Sequence, residues 1–227
     1  LFYSNGELDA SVKNGEVEVY PLTAMEEIIL ATPDKLLSGK AVLEVFTNCI
    51  PQVLKPDQLL ARDVDYLMVC LRMVTFGQTM DISYDHGCDN SKEHTYSVNL
   101  QSMIRTTRSI DPTTIESDYN ITLPNGQLVV MTPLTQESIV NLYQNTALNK
   151  SGDITQQEAE DLVINVLADA IRSVDQTEDP TFIREWLGKI SLGWKRMLEG
   201  RAQNASSWGV EFATEHVCKD CGQDIIV

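Results

Sequence analysis

The spacing of apolar residues changes twice along this chain, and that change limits the folds open to it. From Thr23 to Gly77 apolar residues recur at helical spacing. Val42, Val45, Phe46 and Cys49 fall at i, i+3, i+4 and i+7, and Val64, Leu67, Met68, Leu71 and Val74 line a second face. From Met80 to Met131 the pattern is that of strands: "MDISYD", "HTYSVNL" and "YNITLPNGQLVVM", the last turning at Pro124-Asn125-Gly126. Helical spacing returns after Pro133. A chain that groups its helices and strands in blocks is expected to be α+β, here with helical layers flanking a small β module.

Local punctuation divides the chain into five stretches. Turn signals at Asn5-Gly6 and Asn14-Gly15, followed by alternating Val17 and Val19, predict an N-terminal β ribbon over 1–22. Thr23 and Glu26 form a capping-box pattern that opens a helical layer over 23–79; Pro51 ends one of its helices and Gly77 another. The β module covers 80–131 and holds the polar loop "HGCDNSKEH". A second helical layer is expected over 132–200. In it "ITQQEAEDLVINVLADAIRSV" carries a second capping box, Thr155 and Glu158, and a stripe of Leu162, Val166, Ala170 and Val174. Asp179-Pro180 then starts one long helix with Trp186 and Trp194 on its apolar face. After the polar linker "RAQNASS", residues 201–227 alternate like a strand and return to the β module. There is no internal repeat of fixed period.

Charge narrows the partners. The chain has 227 residues, with 33 acidic against 17 basic and a formal net charge of −16. Such a surface repels phosphate backbones, so direct nucleic-acid binding is not expected. Solubility is the plain reading of the charge and a basic protein partner the sharper one. No apolar run is long enough for a membrane span, and "LFYSNGELDASV" lacks the basic-then-apolar order of a signal peptide. Leu1 rather than Met opens the chain, so a preceding stretch is expected. Five cysteines, an odd number, argue for reduced thiols in a cytosol. Cys49 and Cys70 sit inside apolar runs and read as small buried hydrophobes.

The motifs carry little catalytic chemistry. No phosphate-binding glycine loop, HExxH pattern or nucleophile elbow occurs. Asp63 and Asp65 read as a solvated helix start. "NKSGDITQQEAE" has calcium-loop spacing, but Ile154 stands where the sharp turn demands glycine. An enzyme is not expected. The ending "CKDCG" has the form of a zinc knuckle, in which backbone N–H groups point at two thiolates. Cys218 and Cys221 would supply two ligands, Cys88 the third, and His86 or His94 the fourth; His216 is the weaker substitute. The plain alternative is a tight turn with two thiols. Trp186 and Trp194 read as core or as anchors for a partner. Phe2 and Tyr3 are aromatic residues in a terminal segment with little core of its own to enter.

The order of these pieces resembles one family. "LTAMEEIIL", "LLSGKAVLEVFTNCI", "DVDYLMVCLRMVTFG", the cysteine loop and "YSVNL", together with "LFYSNG" and the closing "CKDCG", are similar to the baseplate hub and hub-assembly proteins of T-even-type contractile-tailed bacteriophages. The likeness covers most of 1–131 and the C-terminal tail. It implies a non-enzymatic subunit of the virion tail, assembled in the host bacterial cytoplasm, that contacts other baseplate and tail proteins in a symmetric multi-protein assembly. Where such proteins carry a C-x-x-C pair in the middle loop, this chain has His86-Gly87-Cys88. The alternative is a zinc-ribbon-type adaptor that recruits a host or phage protein.

Overall fold

The computed structural model describes residues 8–33, 35, 38–84, 94–109, 119–141, 156–205, 207–213, 215–218 and 221–226. The described elements are α1 (Ala24–Ala31), α2 (Lys40–Cys49), a 3-10 turn (Pro56–Gln58), α3 (Ala61–Phe76), β1 (Thr79–Tyr84), β2 (His94–Asn99), α4 (Leu100–Arg105), β3 (Asn120–Thr122), β4 (Leu128–Met131), α5 (Gln156–Asp169), β5 (Ile171–Val174), α6 (Pro180–Lys189), α7 (Leu192–Ala205), β6 (Glu215–Val217) and β7 (Asp224–Ile226). The fold is α+β, helices with small antiparallel sheets.

The N-terminal helices form as their caps and faces dictate. Thr23 and Glu26 close the capping box at the start of α1, and the second oxygen of Glu26 accepts a 3.1 Å bond from Asn48 Nδ2 on α2. α2 buries Ala41, Val45, Phe46 and Cys49. α3 packs two faces. Val64, Leu67 and Leu71 join Val45, Phe46 and Ile50 in one cluster, while Val69 joins Val98, Leu100 and Val210 in another. Val74, at the end of the apolar stripe, is exposed instead. A third cluster gathers β3–β5 with α5, α6 and α7 around Val129, Val174, Leu187 and Leu198. Backbone bonds join the first cluster to the start of the fourth stretch of chain: Ala61 N–H donates to Leu134 O (2.9 Å) and Gln136 N–H to Leu59 O (2.7 Å).

Four sequence readings are corrected. Residues 8–22 form no ribbon; Leu8 makes a single bridge to Val53, and Tyr20 N–H donates to Cys49 O (2.9 Å), so this stretch lies against the helical layer as an irregular strap. The expected β module is not one sheet. Among the described residues β1–β2, β3–β4–β5 and β6–β7 are separate. The stripe ending at Val174 is not helical to its end: α5 stops at Asp169, and Ile171–Val174 pairs with β4, whose open edge would otherwise lack partners. The long helix of Trp186 and Trp194 is broken. Ile190 is extended (φ −73, ψ 158), Ser191 Oγ accepts from Trp194 N–H at 3.3 Å, and Gly188 and Gly193 weaken the helix on either side of the break.

Candidate metal centre and interaction surfaces

β1 and β2 pair from Thr79↔Asn99 to Tyr84↔His94, and their side chains alternate. Met80, Ile82, Tyr84, His94, Tyr96 and Val98 face one side, and that side receives the returning C-terminus. The return is built in steps. Arg108 and Gly209 exchange two backbone bonds (3.2 and 2.8 Å), and Val210 enters the apolar cluster under the hairpin. The His216 ring of β6 then lies 4.1 Å from Tyr96 and edge-on to Tyr84 at 6.1 Å. Tyr84 also stacks on His94 at 5.4 Å. Side-chain packing, not strand pairing, thus brings the cysteine turn to this hairpin.

Backbone hydrogen bonds close the cysteine turn. Gly222 N–H donates to Cys218 O (2.8 Å) and Cys218 N–H to Gln223 O (2.9 Å), closing the loop between β6 and β7. Gly222 has φ +73, a conformation that a side chain would strain. Cys218 is buried and Cys221 exposed. Of the remaining predicted ligands, His94 opens β2 on the face that contacts β6; His86 and Cys88 lie outside the described residues. Among the described residues no group of three His, Cys, Asp or Glu side chains is placed to hold a metal.

A cavity of about 710 Å³ opens elsewhere, between the N-terminal strap and the start of α3, lined by Val17, Arg62, Asp63, Cys70, Arg108 and Trp208 among others. Asp63 is not the solvated residue that its place in the sequence suggested. Its Oδ2 is buried without a hydrogen-bond partner among the described residues, and burial pushes the carboxyl from 3.8 up to about 6. Burial also raises Asp65, opposed by Arg62 at 3.5 Å. For Asp63 the folded state holds a proton that the unfolded chain has already lost. Stability therefore falls as pH rises from about 4 to about 6 and stays lower above. Asp63→Asn is expected to add roughly 1–3 kcal/mol near neutral pH and to flatten that part of the profile. A variant no more stable than wild type, with the slope intact, would contradict the assignment. Cys49 is buried in the core as expected, whereas Cys70 is only half-buried at the cavity wall.

The two tryptophans are half-buried against the β3–β5 core, and Trp186 Nε1 donates to Gln127 Oε1 at 3.4 Å. Phe2 and Tyr3 lie outside the described residues. Among the described residues the apolar side chains most open to solvent are others: Leu192 at 63% exposure, Met25 and Ile28 at 62%, Leu54 at 55%, Val217 at 54% and Phe76 at 53%. Sequence reasoning passed over α1, although "AMEEIILA" carries apolar residues around more of its circumference than one buried face requires.

Residues 7–185 match the family described as T4 bacteriophage base plate protein. The chain belongs to that family. The match runs from the strap through the N-terminal helices into α6; it takes in residues of each core cluster but stops short of Leu187, Leu198 and Val210. Membership gives this baseplate protein a structural role in the phage baseplate and implies a location in the virion tail. No match was found among curated proteins or among solved structures. Among the described residues, no helix is long and apolar enough to cross a membrane.

Proposed function

We propose that the protein is a structural or assembly subunit of the tail baseplate, that it works through contacts with other baseplate and tail proteins, and that it performs no catalytic step. It would be assembled in the host bacterial cytoplasm as part of a symmetric multi-protein structure. The family match over residues 7–185 carries this reading, and the exposed apolar side chains support the emphasis on contacts. Mass spectrometry of purified virions and of tail-assembly intermediates tests it. The chain is expected in at least one of them. Absence from both would favour the alternative, a zinc-ribbon-type adaptor that recruits a host or phage protein.

The C-terminal turn is proposed to hold one structural zinc through Cys218, Cys221 and Cys88, with His86 or His94 as fourth ligand. Two observations support it: the backbone hydrogen bonds that close the turn at Cys218, and the packing of β6 against the hairpin end that His94 occupies. Cys88 and Cys218 are 130 residues apart. Ligands so far apart in sequence close a long loop, so binding free energy becomes folding free energy. Four protein ligands leave no open position for a substrate, which fits a structural metal. Elemental analysis of protein purified without a metal-affinity tag or chelator is expected to find about one zinc per chain. Cys221→Ser should lose it and melt several degrees lower. No zinc in the wild type, or a variant that melts like it, would reduce "CKDCG" to a turn.

A further inference from the structure

Asp63 lies in the first turn of α3, and its Oδ2 is buried with no hydrogen-bond partner among the described residues. Folded proteins pair nearly all their buried polar atoms, so an orphaned carboxyl oxygen calls for an explanation. Arg62 is beside it in sequence, but that guanidinium is engaged by Asp65 at 3.5 Å. The positive charge of the chain's amino group offsets burial only in part, since the carboxyl still stands at about 6. Near neutral pH Asp63 is therefore ionised and short of donors.

The space beside it is the cavity of about 710 Å³, a size that holds a small ligand or a few side chains. Asp63 is on its wall. The strap adds Val17 and Val19, α3 adds Leu67, and the returning C-terminal stretch adds Trp208, so an alkyl stem entering here would lie against apolar side chains. The other ionisable groups on the wall leave Asp63 uncompensated. Glu16 and Arg108 are exposed to solvent, which screens them. Burial above all holds the Tyr66 hydroxyl and the Cys70 thiol above their ordinary values, so both are neutral near pH 7. An anion would be repelled by the carboxylate, and a neutral hydroxyl would supply a hydrogen bond without balancing the charge. We propose that this cavity binds an alkylammonium or alkylguanidinium group, its charge on the Asp63 carboxylate and its stem against Val17, Leu67 and Trp208. A carboxylate shares its charge over both oxygens, so a cation at either one stabilises the ion. Such a group has two sources: a lysine or arginine side chain of another protein, or a free amine.

NMR titration of the full chain with n-butylammonium and n-butylguanidinium, at constant ionic strength, tests the chemistry. Shifts should gather on the cavity wall, in residues 14–19, 62–70 and 208–209. Asp63→Asn, which is expected to fold more stably, should bind about tenfold more weakly. Lowering the pH from 7.5 to 5 should weaken binding to the wild type by about tenfold as well, because the ligand then competes with a proton on Asp63. n-Butanol, with the same stem and no charge, is expected to bind far less. No binding of either cation, equal binding by Asp63→Asn, or equal binding of n-butanol would each overturn the proposal. Two further arms, in infected cells, separate the sources. A benzophenone amino acid at Ser109, an exposed residue of the cavity wall, should crosslink a peptide that carries lysine or arginine if the source is a protein. Native mass spectrometry of the purified chain should show a bound amine if the source is free. Either product should be lost with Asp63→Asn. Products that persist in that variant, or neither product in the wild type, would overturn the proposal.

Discussion

Gly39→Ala is expected to destabilise the protein by roughly 2–4 kcal/mol, a loss that combines two separate costs. Gly39 precedes α2 with φ +70, where a side chain adds about 1 kcal/mol of backbone strain. A Cβ there would also come within 2.1 Å of Val140 Cγ2 and 3.1 Å of its Cβ and Cγ1. Valine in a helical stretch is held close to one χ1 rotamer, so its methyl groups cannot simply swing aside. Moving the backbone instead would pull residues 136–141 from the helical layer they border through the Gln136–Leu59 bond. Gly126→Ala is the control, since Gly126 has φ +88 and nothing within 4 Å of the added methyl. It should cost only the conformational part. Equal melting temperatures for the two variants would mean that Val140 gives way freely and that the contact is unimportant.

Phe46→Ala should cost about 3–5 kcal/mol, with the loss confined at first to one part of the molecule. Phe46 is fully buried among Val45, Ile50, Leu67 and Leu71, and none of the residues of the β3–β5 cluster belongs to its cluster. Removing its ring leaves a cavity that the surrounding helices fill only in part. Hydrogen exchange should therefore show faster exchange across α2 and α3, while amides of β4 and β5 keep most of their protection. A uniform loss across all elements would show instead that the clusters open together, coupled through the Ala61–Leu134 and Gln136–Leu59 bonds.

The same separation explains what could be read in advance. The Thr23–Glu26 box, the Asp179-Pro180 helix start and the Gly126 turn were all legible, because each is settled by groups within a few residues of one another. The candidate metal site was legible only in half. The spacing of Cys218 and Cys221, with Gly222 after it, marks a tight turn, but its meeting with the Tyr84–His94 end of the hairpin depends on Val210 and His216 finding a face formed more than a hundred residues earlier. The outer face of α1 gave a signal, too many apolar residues for one buried side, that helical spacing alone does not interpret.

The sequence by itself determined the α+β class, the identity of most helices and the β3–β4 hairpin, since periodicity, caps and turn residues act over one or two turns of chain. Tertiary structure decided the rest. Ile171–Val174 continues a helical stripe in sequence, yet it becomes a strand because β4 needs a partner for its backbone groups. Asp63 follows the ordinary pattern of a solvated helix start. Burial raises its carboxyl to about 6 at the wall of a cavity that the strap and residues 208–209 also line. Whether a local pattern is kept depends on what distant residues bury or leave unpaired, and that is not written in the pattern itself.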